Sequence, residues 1–245
     1  MKIFLAGTAS HEKIVREKMP IPFVLESFYY WKEWQDDLLK SCEEFLLDSG
    51  AFTFMRSSKK NIDWNDYIKR YADFINRKNI DNFFELDIDS IVGYDNVLKY
   101  RELVEKETGK KSIPVWHKSR GIDDFCSTCE NYSRVAIGGF AIKEITISEY
   151  KYIPHLIQKA HERKSKVHGL GFTSTSYYNK IKFDSVDSTT WTIGGRMGNI
   201  CYFNGSGMRQ YYPSLHKKKP KNMNMIQKHN YEQWLLFQKW AVNNL

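Results

Sequence analysis

Three segments place carboxylates directly after apolar runs, and they define the chemistry this chain can do. Phe45-Leu46-Leu47 runs into Asp48-Ser49-Gly50-Ala51-Phe52-Thr53: an ionisable group, a tight glycine turn, then an aromatic. That pattern makes either a reactive carboxylate beside a stacking surface or an ordinary turn. Phe83-Phe84-Glu85-Leu86 continues into Asp87-Ile88-Asp89-Ser90. Asp89 or Ser90 is the natural cap of a following helix, which leaves Asp87 without a structural reason. Phe183-Asp184-Ser185-Val186-Asp187 again holds two carboxylates. Asp187 can cap the next segment, and Asp184 is the harder of the two to explain structurally. Carboxylates converging from different strands suit glycosidic-bond chemistry. One attacks the anomeric carbon and carries the sugar covalently, and another moves protons to and from the leaving and entering groups. Such a pair needs environments that push the two pKa values apart. The same residue types also bind divalent cations, so metal-dependent hydrolysis stays open at this point.

The elements that must position these groups alternate in type. Short apolar runs predict strands at Lys2-Ala6, Glu44-Leu47, Asn82-Leu86, Ser112-Val115, Arg134-Ile137, Lys166-Leu170 and Lys182-Val186, with Asn199-Phe203 as a candidate eighth. Helical spacing falls between them, at Trp64-Arg77 (with Asp63 as N-cap), Ser90-Thr108, Asp123-Tyr132, Pro154-Arg163 and Asn230-Val242. Strand–helix alternation implies a parallel sheet, open and doubly wound or closed as a (β/α)8 barrel. Polar residues just past successive strand ends favour the α/β barrel, whose catalytic groups sit at the C-terminal ends of several strands. Gly7-Thr8-Ala9-Ser10 is not the Gly-rich turn that a dinucleotide-binding sheet needs. The expected organisation is one barrel over residues 1–204, followed by a basic segment and helix over 205–245 that pack on it.

Composition narrows the class. With 245 residues, 42% hydrophobic and 15% aromatic, the chain can bury a large core. No apolar run approaches the ~18 residues of a membrane span, and no secretory leader is evident, so a cytoplasmic location is expected (host cytoplasm if the gene is a phage's). Cys42, Cys126, Cys129 and Cys201 show no disulfide framework, and the lone Cys126-Ser127-Thr128-Cys129 offers too few ligands to close a tetrahedral metal site. Residues 200–245 carry seven basic residues against one acidic, +6 of the chain's net +8. A near-neutral body with a basic end fits a polyanionic partner or a plain solvated face.

Several segments, in order, resemble the tRNA-guanine transglycosylase family. Asp48-Ser49-Gly50-Ala51-Phe52 is similar to its Asp-Ser-Gly-Gly-Phe motif, and Leu86-Asp87-Ile88 to its base-reading Asp segment. Ile137-Gly138-Gly139-Phe140-Ala141-Ile142-Lys143-Glu144 resembles its Gly-Gly-Leu-Ala-Val-Gly-Glu loop, and His168-Gly169-Leu170-Gly171-Phe172-Thr173 its Gly-Val-Gly-Thr turn. Asp184-Ser185-Val186-Asp187 resembles Asp-x-x-Asp at the nucleophile, and Arg196-Met197-Gly198 falls where the family has Arg-Asn-Gly. Departures accompany the likeness. Ala51 replaces a Gly, Thr53 a Gln, and Trp116-His117 a base-contacting Gln-Gly, while the family's zinc cluster is absent. The short chain looks more like the compact DpdA-like DNA-guanine transglycosylases of phages and bacteria.

What the resemblance implies is exchange of guanine for a free 7-deazaguanine base in DNA, without cofactor or metal, through a covalent aspartyl–sugar intermediate. Asp184 would be the nucleophile with Asp187 in reserve, and Asp48 the general acid/base. Phe52 would stack on the flipped base and Asp87 would read its N1–H and amine, with Ser49, Gly50, His117, Gly138, Gly139 and Phe140 around it. Arg196 and Lys217, Lys218, Lys219 and Lys221 would contact the nucleic acid. Which 7-deazaguanine enters, and whether the chain forms a homodimer, stay open. The alternatives are the same reaction on tRNA, or a non-catalytic nucleic-acid-binding subunit of such an enzyme.

Overall fold

A computed structural model describes residues 1–50, 53, 62–212 and 222–245, with the backbone alone at 195–196. Seven parallel strands form one curled sheet: β1 (Lys2–Ala6), β2 (Phe23–Ser27), β3 (Glu44–Asp48), β4 (Val115–Trp116), β5 (Arg134–Ile137), β6 (Lys166–Gly169) and β7 (Ser185–Ser188). Their spatial order is β3-β2-β1-β7-β6-β5-β4, which leaves β3 and β4 at the two edges. Residues 83–84 lie between those edges. Leu47 bridges Phe83 and Phe84 bridges Ile113, both in parallel sense. Phe84 N–H donates to Leu47 O at 2.9 Å, and Ile113 N–H donates to Phe83 O at 2.7 Å.

Alternation along each strand builds two apolar layers. Phe4, Ala6, Phe23, Leu25, Leu46, Phe84, Ile113, Val115 and Ala136 cluster on the concave side of the curl. Their neighbours, among them Ile3, Leu5, Val24, Leu47, Phe83, Val135, Ile137, Val167 and Val186, join the larger core under the helices. Strands buried on both faces read as continuous apolar runs, which is why the first strand is visible as Ile3-Phe4-Leu5-Ala6.

The helices are α1 (Glu12–Arg16), α2 (Gln35–Ser41), α3 (Trp64–Lys78), α4 (Asp89–Val92), α5 (Tyr94–Thr108), α6 (Gly121–Asn131), α7 (Ile153–Glu162), α8 (Ile193–Met197) and α9 (Met223–Asn244) among the described residues. Asp63 caps α3 as its side chain predicts, accepting Asp66 N–H at 3.0 Å. The helix expected over 90–108 is two, because Gly93 takes φ +80° between α4 and α5. In α9, buried Gln238 donates from Nε2 to Ile3 O and Phe23 O, both at 2.7 Å, and so ties the last helix to β1 and β2.

The strand expected at 82–86 keeps only the two bridges at Phe83 and Phe84, that expected at 112–115 becomes Val115–Trp116, and three further strand expectations change. β2 is not evident from the sequence, because Phe23–Ser27 follows Pro20 and Pro22 and ends in polar Glu26-Ser27. Residues 199–203 are not a strand of this sheet. β8 (Ile200–Phe203) pairs antiparallel with β9 (Met208–Tyr211) as a separate hairpin. Its turn is organised by Asn204, whose Oδ1 accepts N–H from Ser206 and Gly207, and the expected boundary at 204/205 falls in that turn. The third change is the most consequential. β7 spans Ser185–Ser188 rather than 182–186, with Phe4 opposite Asp187 and Lys2 opposite Ser185.

Candidate active site

The C-terminal ends of β1 to β7, together with the segment after residue 84, surround a cavity of about 530 Å³. Its wall includes Gly7, Ser27, Asp48, Asp87, His117, Gly138, Leu170 and Asp187, one group from each of those eight places. That volume lies within the range of small-ligand sites.

Asp48 ends β3, and the local sequence explains how it is held. Gly50 N–H donates to Asp48 Oδ2 at 3.0 Å, with Gly50 at φ +75°. A Cβ there would stand 2.4 Å from Tyr29 Cβ, so only glycine closes this turn. From α3, Tyr67 hydroxyl donates to Ser49 O at 2.5 Å and Tyr71 hydroxyl to Phe84 O at 2.9 Å, pinning the strand end from behind. Burial pushes the Asp48 carboxyl up to about 7; the Gly50 hydrogen bond offsets this in part, and the negative charges of Asp87 and Asp187 add to it.

Asp187 sits opposite Phe4 on the concave face of β7. Its Oδ1 accepts Gly171 N–H at 2.6 Å and lies 3.3 Å from His168 Nε2. His168 is fully buried beneath it, with Nδ1 2.8 Å from Ser185 Oγ and its ring against Phe4 and Phe84. Asp184 is not part of the site. It accepts Val167 N–H at 2.7 Å and lies 2.8 Å from His161 Nε2, at the start of the β7 ladder. Three residues is an odd offset in a strand, so Asp184 and Asp187 cannot share a face.

Asp87 meets His117, which follows β4: Asp87 Oδ1 is 2.7 Å from Nε2, and Glu144 Oε2 is 2.7 Å from Nδ1. Burial alone would lower the imidazole, but hydrogen bonds to Asp87 and Glu144 outweigh it and hold His117 at about 9. Burial opposes Glu144's ionisation, yet His117 and Ser119 N–H bring its carboxyl below the ordinary value. Asp87, Asp89 and His117 offer ligand atoms within 4.8 Å of one another, a set that could hold a cation. Arg120 binds Asp89 Oδ2 through Nε at 2.8 Å and stacks 3.9 Å over Tyr94, while Asp89 Oδ1 is buried without a hydrogen-bond partner, so a cation there would share Asp89 with a positive charge.

The expected residues divide clearly. Asp48, Asp87, His117, Gly138, Gly139 and Asp187 line the cavity. Ser49 is buried beneath it and Gly50 shapes the turn. Phe140 packs its ring on Phe172 and Tyr150, away from the cavity wall. Trp116 and Trp191 belong to the core, their indoles donating to Gly121 O and Ala6 O. Arg196 lies in α8, where only the backbone is described. Phe52, Lys217, Lys218, Lys219 and Lys221 lie outside the described residues.

Sequence reasoning does not assign roles to Glu26, Glu144 or His168. Glu26 is 2% exposed on the cavity wall and accepts Thr8 N–H at 3.0 Å; burial pushes its carboxyl up to about 7. A lone Glu closing the apolar run Phe23-Val24-Leu25 is its signal. His168 has one too: alternation with Val167 on β6 puts it on the concave face. Glu144 reaches the site through a loop, which no periodicity reveals.

No protein-family model matches this chain, and no curated protein matches it.

Proposed function

We propose that this chain exchanges a guanine-type base in nucleic acid, with DNA as the polymer, by double displacement at the glycosidic bond. In this reading the curled sheet, with residues 83–84 as its eighth strand, is a (β/α)8-type barrel using its C-terminal face. One observation carries the proposal. Asp48 and Asp187, from different strands around a common cavity, have different surroundings: burial pushes Asp48 up to about 7 with one backbone N–H on it, while one oxygen of Asp187 has both Gly171 N–H and the His168 imidazole beside it.

In the first step an Asp187 oxygen attacks C1′ of an extruded deoxyguanosine. The C1′–N9 bond breaks, its electron pair leaves with the base, and Asp48 delivers the proton that neutralises it. In the second step Asp48 takes a proton from the N9–H of the incoming 7-deazaguanine. That nitrogen attacks C1′, the ester C–O bond breaks, and the Asp187 carboxylate is restored. A group titrating near neutrality suits both halves, since it must give and then take a proton. Asp87, with one oxygen on His117, offers the other to the N1–H and amine of the base.

The test is a covalent trap. Incubation with guanine-containing DNA, then a denaturing gel, should show a protein–DNA adduct for wild type and none for Asp187→Ala. Labelled guanine should enter DNA and not tRNA. Exchange into tRNA alone would move the proposal to the other polymer, and no exchange into either would sink it.

A further inference from the structure

The strongest unassigned arrangement in the cavity wall is the chain Glu144–His117–Asp87. His117 is 6% exposed, and each ring nitrogen lies 2.7 Å from a carboxylate oxygen. A carboxylate oxygen against each nitrogen calls for a donor at both, which only the imidazolium supplies, and such a ring has no donor left for a ligand. Glu144 is itself immobilised, since its other oxygen accepts Ser119 N–H at 2.8 Å. The backbone is cut to fit this chain. A Cβ on Gly138 would stand 2.8 Å from Val115 Cγ1 and 3.1 Å from His117 Nε2. A Cβ on Gly139, which has φ +83°, would stand 2.8 Å from Glu144 Oε2. The charged groups facing His117 are Asp87, Glu144 and Asp89, and Asp89 is held by Arg120.

We propose that Glu144 is a positioning residue: through His117 it locks Asp87 as a group that can only accept hydrogen bonds. The cavity then prefers bases presenting an N–H and an exocyclic amine on one edge, the guanine and 7-deazaguanine class, over bases lacking the amine. The inference rests on the base-exchange reading for its ligand, but not for the lock itself. An acceptor-only carboxylate left facing a base without the amine loses one charge-assisted hydrogen bond, a discrimination of about tenfold or more. Glu144→Gln keeps the shape and removes the charge, so the imidazole becomes neutral more readily and holds Asp87 through a weaker, uncharged hydrogen bond.

Two measurements test this. Calorimetric binding of free guanine and hypoxanthine should show wild type favouring guanine about tenfold or more, and Glu144→Gln should narrow that ratio to within about threefold. In exchange assays the same variant should raise KM for guanine more than it lowers kcat. Nitrogen-15 spectra of labelled histidine should show both His117 nitrogens protonated at pH 7 in wild type, and deprotonation at lower pH in Glu144→Gln. An unchanged guanine/hypoxanthine ratio with an unchanged His117 titration overturns the proposal. So does a neutral His117 in wild type at pH 7, which needs no variant to fold. Failure of wild type to bind guanine at all overturns the base-exchange reading instead, and the histidine spectra then decide the lock alone.

Discussion

Asp184, just before β7, and Asp187, within it, face opposite ways: Asp184 is tied to Val167 N–H at the start of the ladder, and Asp187 to Gly171 N–H at the cavity. The two should therefore separate cleanly on substitution. Asp187→Ala should abolish base exchange and adduct formation. Asp184→Ala should keep exchange within a few-fold of wild type while losing about 1–2 kcal/mol of stability, the cost of orphaning a hydrogen-bonded N–H. Exchange assays and urea unfolding of both variants check this, and an inactive but folded Asp184→Ala would reverse the assignment.

Asp48 supplies a pH signature. Its folded-state pKa, about 7, lies above the ordinary carboxyl value of 3.8, so the folded protein binds a proton that the unfolded chain releases between those values. The contribution is fully favourable below the unfolded value, weakens as pH rises, and levels off above about 7. Glu26, also near 7, acts in the same direction. Asp48→Asn should thus gain stability on wild type by roughly 1 kcal/mol per pH unit from pH 4 to 7. Over the same range its exchange rate should be about 10²–10⁴-fold lower. Parallel stability–pH curves for the two proteins would refute the burial of this charge.

The segment after residue 84 is tied to β4 through the buried carboxylate of Glu85. Arg101 Nε donates to Glu85 Oε2 at 2.6 Å, and Glu85 Oε1 accepts Val115 N–H at 2.6 Å, with Glu85 1% exposed. Arg101→Met leaves that buried carboxylate with only the more distant Arg120, 4.0 Å from its Oε1, as counter-charge, at a cost of about 3 kcal/mol. The double variant Arg101→Met/Glu85→Gln should recover part of the loss. Denaturant midpoints decide it; equal loss in single and double variants would show that the charge is not what matters.

If the proposed reading holds, the basic stretch at 217–221 acts on polymer binding rather than on the chemistry. Replacing Lys217, Lys218, Lys219 and Lys221 by Gln should weaken DNA binding and lower the slope of log K against log salt by up to about 3 to 4, near 0.9 for each phosphate no longer neutralised. Base selectivity should not move. Fluorescence anisotropy over a salt series reads both effects, and an unchanged slope removes the segment from the interface.

Much is legible in the sequence because it follows from local rules. The apolar runs of β1, β3, β5 and β6, the amphipathic α3 with its Asp63 cap, and carboxylates at strand ends depend on period and neighbour alone. Asp48 and Asp87 are recognisable from the same logic, each a charge at the end of an apolar run. Tertiary structure alone decided which carboxylate of β7 faces inward, because strand register is set by pairing with β1 and β6 and not by the strand itself. It also decided that residues 200–203 turn away into a hairpin, and that Glu144 crosses a loop to meet His117. Those contacts join residues far apart in the chain, and a sequence pattern carries no distance across such a gap. So the residue types, read in order, limited the kind of chemistry the chain can offer, and the curl of the sheet determined which side chains share the cavity.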